Sequence, residues 1–471
     1  MNTHDLIVIG AGPAGATGAN SAAIFGAHVA LIEKEQEIGG AGLNSGTVPS
    51  KTLRETALAL SGWHSRRLLG VDLSLRREAT VGDFMWHSQQ VSGGERKTME
   101  ERLRSNNVER FRGTANFIDP HTVRIVGVEG SEVRLSGKFI LIATGSAPWH
   151  PPEFNFDDAC VHDSNELLHL ETMPKRLAVV GAGVIGSEYA CTFAAMGVEV
   201  HLIDGRDVLL PFLDREVSRA LADAMTANGV NFHWKEKVTH CDGSRPGDAR
   251  LTLSSGATLD CDGVLVCAGR SSNTAELNLA AAGIAPGNRG LIPVGAYYRT
   301  VVPHIYSAGD VIGPPALAAT SMEQARIAVC HALGVTAKSD LAPLLPTGIY
   351  TIPEASTVGD TEEAVREKGI DYVVGRARYA NNPRGRIIGD EVGFLKLIFR
   401  RIDMRLIGVH VVGEQATELV HIGLIAMLSE AGAELFNRAC FNYPTLGDLY
   451  KYATYDALLQ RGLPASSSRR P

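Results

Sequence analysis

The chain has 471 residues, 45% hydrophobic and 21% charged, the balance of a globular protein long enough for about three domains. Its formal net charge of −7 is small for this size and gives no reason to expect nucleic acid or an anionic membrane as partner. No apolar run approaches the roughly 20 residues of a membrane-spanning helix, no basic-then-apolar leader precedes Leu6, and none of the seven cysteines stands in CxxC spacing, so a cytoplasmic protein without a disulfide scaffold or metal site is expected.

Leu6 to Ile9 is a short apolar run of buried-strand type. Gly10, Gly12 and Gly15 follow, then an Ala-rich stretch of helical length and a second strand ending at Glu33. A helix continues from Lys51 through Leu53 to Leu60, and a second helical pattern covers Phe84 to Leu103, where Trp86, like Trp63 before it, reads as a packing residue. Trp149-His-Pro-Pro152 reads as a stiff linker. The opening pattern then returns: Leu177 to Val180, Gly181, Gly183 and Gly186, an Ala-containing helical stretch, and a strand ending at Asp204. After Leu344 come strand-like runs at Tyr372 to Tyr379, Val392 to Phe399 and Leu406 to Val412, with helical patterns behind them, a separate α+β unit. His410 and His421 within it read as structural. The tail from Gly462 to Pro471 is Ser-, Arg- and Pro-rich and is expected to be disordered.

The repeat is the strongest signal. In each copy the acid stands 23 residues after the first glycine. The first glycine makes the strand-to-helix turn, the second lets a pyrophosphate approach the backbone, and the third lets helix and strand pack. Phosphates then meet the N–H groups and dipole of a helix start, and Glu33 or Asp204 can accept from ribose hydroxyls. Two such units imply two dinucleotides, commonly a tightly held FAD and an exchangeable nicotinamide.

From about residue 4 to 461 the chain resembles the FAD-dependent pyridine nucleotide–disulfide oxidoreductases, the group of dihydrolipoamide dehydrogenase, and within it the soluble Si-specific NAD(P)+ transhydrogenases. The motifs are Ala143-Thr144-Gly145-Ser-Ala-Pro148, Cys267-Ala-Gly269-Arg270, Ile305-Tyr-Ser-Ala-Gly309-Asp310, Pro346-Thr-Gly-Ile-Tyr-Thr-Ile-Pro-Glu354 and Phe441-Asn-Tyr443-Pro-Thr445. The resemblance implies an α/β fold with two Rossmann-like dinucleotide-binding domains. These are an FAD domain of residues 1–149 and 271–343 and an NAD(P) domain of 150–270. A C-terminal α+β dimerisation domain of 344–461 and the 462–471 tail follow. It places cofactor contacts at Thr47, Lys51, Thr144, Gly145, Gly269, Gly309 and Asp310, with Asp310 on a ribityl hydroxyl, and it implies a homodimer.

The informative departure lies at Gly39 to Lys51. Disulfide reductases of the family carry two cysteines at the places of Gly42 and Thr47; this chain carries neither, and glycine and threonine form no thiolate. The family's histidine base is also replaced, by Tyr443, whose phenol is a poor base at neutral pH; the resemblance implies that Tyr443 reaches the other subunit's flavin. Lys51 is expected near the flavin N5 edge, where a cation favours the reduced ring, and Glu188 is expected to hold it. Flavin-only hydride or electron transfer from NAD(P)H to a small-molecule acceptor is the reading, as in a transhydrogenase passing electrons from NADH to NADP+. A quinone or diaphorase-type reductase is the alternative, suggested by space that Gly42 leaves over the flavin; a non-catalytic flavin-binding protein is a second. Asp204 disfavours a 2′-phosphate, at 4 Å by about 4 kcal/mol per charge pair for an effective dielectric of 20, while Arg206 can offset part of this. NAD(H) is therefore expected to be preferred, with NADP(H) also usable.

Overall fold

A computed structural model describes residues 2–62 and 80–462; Trp63 and the tail beyond Gly462 lie outside the described residues. The first glycine unit builds a parallel sheet in the order Glu109–Arg112, Val29–Glu33, Asn2–Ile9, Glu132–Ile142 and Ile305–Ser307. Its central strand is buried on both faces, as the unbroken apolar run requires. Leu6 and Val8 pack with alanines of the helices Pro13–Ile24 and Ala318–Leu333, whereas Ile7 and Ile9 pack on Phe117, Val123 and Leu277. The strand Glu132–Ile142 is long enough to serve twice. Its first half pairs antiparallel with Thr122–Val126, which pairs with Thr114–Asp119.

The second unit repeats the plan in the order Val230–Trp234, Glu199–Asp204, Arg176–Val180, Gly263–Val266 and Val161–His162, all parallel. A small antiparallel sheet, Val238–Arg245 with Asp248–Leu253 and Thr258–Cys261, backs one face. The helix Val184–Ala195 is buried along almost its whole length. It is sandwiched between its own sheet and the helices Thr47–Leu60 and Val81–Ser105, through Tyr189 and Phe193 against Leu53, Ala57 and Phe84. Val81–Ser105 starts on a capping box between Thr80 and Asp83. Trp86, on this helix, is 60% exposed rather than packed. Where the chain crosses between the two units, Ser146–Pro148 and Arg270–Ser272 pair antiparallel, and Trp149 N donates to Gly269 O at 2.9 Å. The crossing is a ribbon of two strands, not a single-strand tether.

The C-terminal sheet is antiparallel, in the order Thr347–Ile349, Ala355–Gly359, Leu406–Val412, Phe394–Arg400 and Tyr372–Arg378. The helices Ala416–Leu428, Ala433–Arg438 and Leu449–Arg461 complete its core. Its first two strands were not expected from sequence: both are short, and Thr, Ser and Gly interrupt the apolar alternation. The strand expected from Val392 begins at Phe394. The Asp390 carboxylate accepts from Val392 N at 3.1 Å and Gly393 N at 2.8 Å, holding those residues in a turn.

Candidate functional site

The two glycine turns are near-replicas. Gly10 has φ +98° and Gly181 φ +104°, and at each an added Cβ would sit 2.5 Å from a carbonyl oxygen, of Ala143 and Cys267 respectively. Only glycine fits both the angle and the approach. At Gly15 and Gly186 a Cβ would lie 1.8 and 2.0 Å from the carbonyl of the first glycine of its own turn, so these residues let helix and turn pack. Gly12 and Gly183 cap the helices Pro13–Ile24 and Val184–Ala195. Beside them the space is open: nothing stands within 4 Å of a Cβ on Gly183, and only Gly40 Cα, at 3.8 Å, near one on Gly12. Open ground in front of unsatisfied helix N–H groups is what a pyrophosphate requires.

The acids close the turns. Glu33 Oε2 accepts from Ala11 N and Asp204 Oδ2 from Ala182 N, each at 2.7 Å. Beyond that the units differ. Glu33 also takes Glu35 N at 3.0 Å and faces a cavity. Asp204 takes Arg206 N at 2.9 Å, Nε at 2.8 Å and Nη2 at 2.7 Å. Burial by itself raises the Asp204 carboxyl, but the Arg206 fork and two backbone N–H groups hold it below the ordinary carboxylate range. The second unit's acid is thus already saturated with donors.

A cavity of about 700 Å³ opens along the first unit. Gly10, Gly12, Glu33, Gly42, Thr47, Thr144, Gly145, Gly309 and Asp310 all line it, drawn from five separate stretches of chain. Two polar atoms of residues on its wall, Thr144 Oγ1 and Asn165 Oδ1, are buried without a hydrogen-bond partner. Such orphans are costly unless a ligand completes them, so the residues present fit a bound dinucleotide. Gly145 and Gly309 have φ of +67° and +85°, and Gly309 N is held by buried Gln324 Oε1 at 2.9 Å. Asp310 Oδ2 accepts from Ser146 Oγ at 3.0 Å, and Ser146 Oγ in turn accepts from Arg270 Nε at 2.8 Å. This relay ties the cavity to the ribbon between the units. Gly269, immediately before the ribbon's return strand, has φ +108°.

Lys51 and Glu188 meet, Nζ to Oε2 at 2.6 Å. They do not line the large cavity; Lys51 stands one helical turn past Thr47, which does. Glu188 is buried, and its other oxygen accepts from Tyr350 N at 3.0 Å, while Lys51 Nζ lies 4.9 Å over the Tyr350 ring. One ion pair therefore pins helices of both nucleotide units to the C-terminal segment. Tyr443 stands apart, 73% exposed in the single protomer. At Gly42 an added Cβ would lie 2.6 Å from Pro13 Cγ. The Pro13 ring occupies the direction a side chain would take.

Several lining and bracing residues carried no motif. Asn165 and His169 reach the cavity from the stretch that opens the second unit. Arg54, 2% exposed, donates Nε to Thr351 O at 2.9 Å and pairs with Glu354 at 3.4 Å. Tyr350 and Glu354 lie inside the Pro346-to-Glu354 motif, so the signal was present without its meaning.

Two doubly wound units with paired glycine turns, one opening on a large cavity, define a flavoprotein that also binds a pyridine nucleotide. The chain belongs to the pyridine nucleotide-disulphide oxidoreductases: that family's model matches residues 4–331 and its dimerisation-domain model residues 345–454. It is accordingly an FAD-dependent NAD(P)H oxidoreductase. It is 42% identical to a protein of Mycobacterium bovis named soluble pyridine nucleotide transhydrogenase, over 97% of this chain and 98% of that one. The protein of that name from Colwellia psychrerythraea is 39% identical over the same shares. Among solved structures, the Cu(II) complex of the HOCl-induced flavoprotein disulfide reductase RclA of Escherichia coli matches with a TM-score of 0.88 at 28% identity. The match covers 97% of this chain and 99% of that one.

Proposed function

We propose that this enzyme moves electrons between a nicotinamide and a small acceptor with flavin alone, without a redox disulfide, in the manner of a transhydrogenase running from NADH to NADP+ or a related acceptor. The carrying observation is the composition of the cavity wall: Gly42 and Thr47 line it, and no cysteine does. Among the described cysteines Cys191, Cys261 and Cys267 have thiols pushed up to about 12, chiefly by burial, which disfavours a thiolate.

FAD, when bound, supplies the two-electron chemistry by taking hydride from one partner and passing electrons to another. This chain's residues hold and orient. Gly12 and Gly183 would present helix N–H groups to the two pyrophosphates, and Thr144, Gly145, Gly309 and Asp310 would hold the flavin side. Glu188, fixed by Tyr350 N, keeps the Lys51 ammonium one helical turn from Thr47, where its charge would favour electron density on a bound flavin. No acid or base of the protein has to move a proton for hydride transfer, which suits the replacement of the family's histidine by Tyr443. On this reading residues 1–149 with 271–343 bind FAD, 150–270 bind the nicotinamide and 344–461 form the dimer contact.

Asp204 favours NADH, because it occupies the Arg206 guanidinium that a 2′-phosphate would need as partner and its own charge disfavours that phosphate. A quinone or diaphorase-type reductase is the second reading, favoured by Gly42 lining the cavity with no side chain.

Anaerobic titration with NADH tests the proposal. A flavin-only enzyme bleaches fully with one equivalent of NADH per FAD. Uptake of a second equivalent, with a long-wavelength thiolate-to-flavin band, would displace this reading in favour of dithiol chemistry.

A further inference from the structure

At the far end of the first sheet three ligand-type side chains converge. His4 lies in the strand Asn2–Ile9, His28 immediately precedes Val29–Glu33, and Glu109 opens Glu109–Arg112. These are adjacent parallel strands, and all three residues sit at their starts. Gly10 lies at the opposite end of its strand, about 20 Å away at the usual rise per residue. The cluster is thus separate from the dinucleotide site.

Its geometry is that of a ligand set. One ligand atom from each residue lies within 4.8 Å of the others. His4 Nε2 is 2.8 Å and His28 Nε2 3.7 Å from the same oxygen, Glu109 Oε2. Ligand atoms of a tetrahedral ion with bonds near 2.0 Å stand about 3.3 Å apart, between those two values. The imidazoles are stacked, centroids 4.3 Å apart and planes 19° apart, and Phe111 sets its edge against His4, so the ring of His4 has one orientation. His28 Nδ1 faces Thr3 O at 3.4 Å. A proton on that nitrogen leaves the Nε2 lone pair directed at the cluster, the arrangement in which histidines bind metals. His4 is 1% exposed and its Nδ1 has no hydrogen-bond partner. The ring is therefore held in the core with Glu109 as its one hydrogen-bond partner among the described residues. His28 and Glu109 remain partly exposed, which gives an ion a way in and water a fourth position.

We propose that His4, His28 and Glu109 form a binding site for one divalent transition-metal ion of the zinc class that ties the starts of three strands together. Two imidazole nitrogens and one carboxylate oxygen suit zinc and its neighbours and not magnesium or calcium, which require oxygen donors. No sequence spacing announced it, because the three residues are far apart in the chain and meet only through strand order.

The test uses full-length, FAD-loaded protein stripped with a chelator, with Cys440, the exposed thiol, replaced in every arm (Cys440→Ser). Zinc sulfate is titrated calorimetrically and thermal unfolding is followed in parallel. One zinc per chain is expected, with a raised Tm. His28→Ala and Glu109→Gln, both at accessible positions, should each weaken uptake by at least about tenfold and abolish the Tm shift, with flavin content per chain unchanged. No zinc uptake by the parent protein, or undiminished one-per-chain uptake in both variants, would overturn the site.

Discussion

Asp204 and Arg206 are two residues apart, and on the proposed reading they set which nicotinamide the second nucleotide unit prefers. With its carboxylate intact, Asp204 occupies the Arg206 guanidinium and repels a 2′-phosphate. In Asp204→Asn the fork loses its charge and Arg206 becomes a free phosphate partner. Half-exposure of Arg206 screens the effect, leaving about 1–2 kcal/mol, so the ratio of kcat/KM for NADPH over NADH should rise about tenfold; an unchanged ratio would remove Asp204 from cofactor choice. Lys51 is a second case. Lys51→Met deletes the charge and leaves Glu188 buried with Tyr350 N as its remaining partner. Reduction by NADH, followed by stopped-flow bleaching, should slow about 100-fold, the usual effect of removing one preorganised electrostatic partner, while FAD stays bound. Slowing of less than about threefold would mean that the pair only braces the helices.

Between elements, one densely charged contact involves neither nucleotide turn. Lys396, 1% exposed on the strand Phe394–Arg400, reaches both oxygens of buried Asp214 at 2.9 Å, Glu362 at 2.7 Å and Glu216 at 3.1 Å. Asp214 also caps the helix Arg215–Ala227 of the second unit, so this one ammonium fastens that unit to the C-terminal sheet. Burial by itself raises the carboxyls of Asp214, Glu216 and Glu362, but Lys396, with Arg376 on the two glutamates, holds them below their ordinary values. Their contribution is complete above the unfolded carboxylate range near pH 4 and is lost as pH falls through the lowered values. Buried His410 sits beside them, bonded to Thr357 and Asp360 O, with its pKa pushed down by burial. It adds a loss that begins as pH falls through about 6.5, the value in the unfolded chain. Lys396→Met should cost about 3–5 kcal/mol at neutral pH. It should also blunt or reverse the acid loss between pH 6 and about 3, the span that takes in the carboxylates' lowered values, because three carboxylates without their cation gain from protonation. Denaturant unfolding across that range checks both; an equally steep acid loss in the variant would mean the cluster does not carry it. Nothing in the sequence announced this contact. The repeated glycine units were legible because a turn, a helix start and an acid recur at fixed spacing within one short stretch. Lys396, Asp214, Glu216 and Glu362 come from three distant segments, and a buried cation reads in sequence like a surface lysine. The strands Thr347–Ile349 and Ala355–Gly359 and the lining residues Asn165 and His169 escaped for a related reason: tertiary pairing places them, not local periodicity.

At the scale of the whole molecule, the C-terminal unit leaves an apolar surface that one protomer does not cover. Ile425 and Leu459 are 62% and 78% exposed on the helices Ala416–Leu428 and Leu449–Arg461, within or just beyond the stretch matched by the dimerisation-domain model. Such faces call for a second copy, so light scattering should return twice the chain mass. The more telling question is whose site Tyr443 serves, since in its own protomer it stands exposed and does not line the flavin cavity. If it completes the other subunit's site, then in a dimer pairing a Lys51→Met subunit with a Tyr443→Ala subunit one site carries both defects and the other carries neither. Mixed dimers purified with two different tags should then recover about half the parent activity per dimer, well above either homodimer, as independent sites require. If Tyr443 acts within its own chain, each site of the mixed dimer holds one defect, and activity falls to the mean of the two weak homodimers. The same experiment separates a shared site from a tyrosine that merely seals the interface: in that third case the Tyr443→Ala homodimer keeps parent activity while its dissociation constant rises.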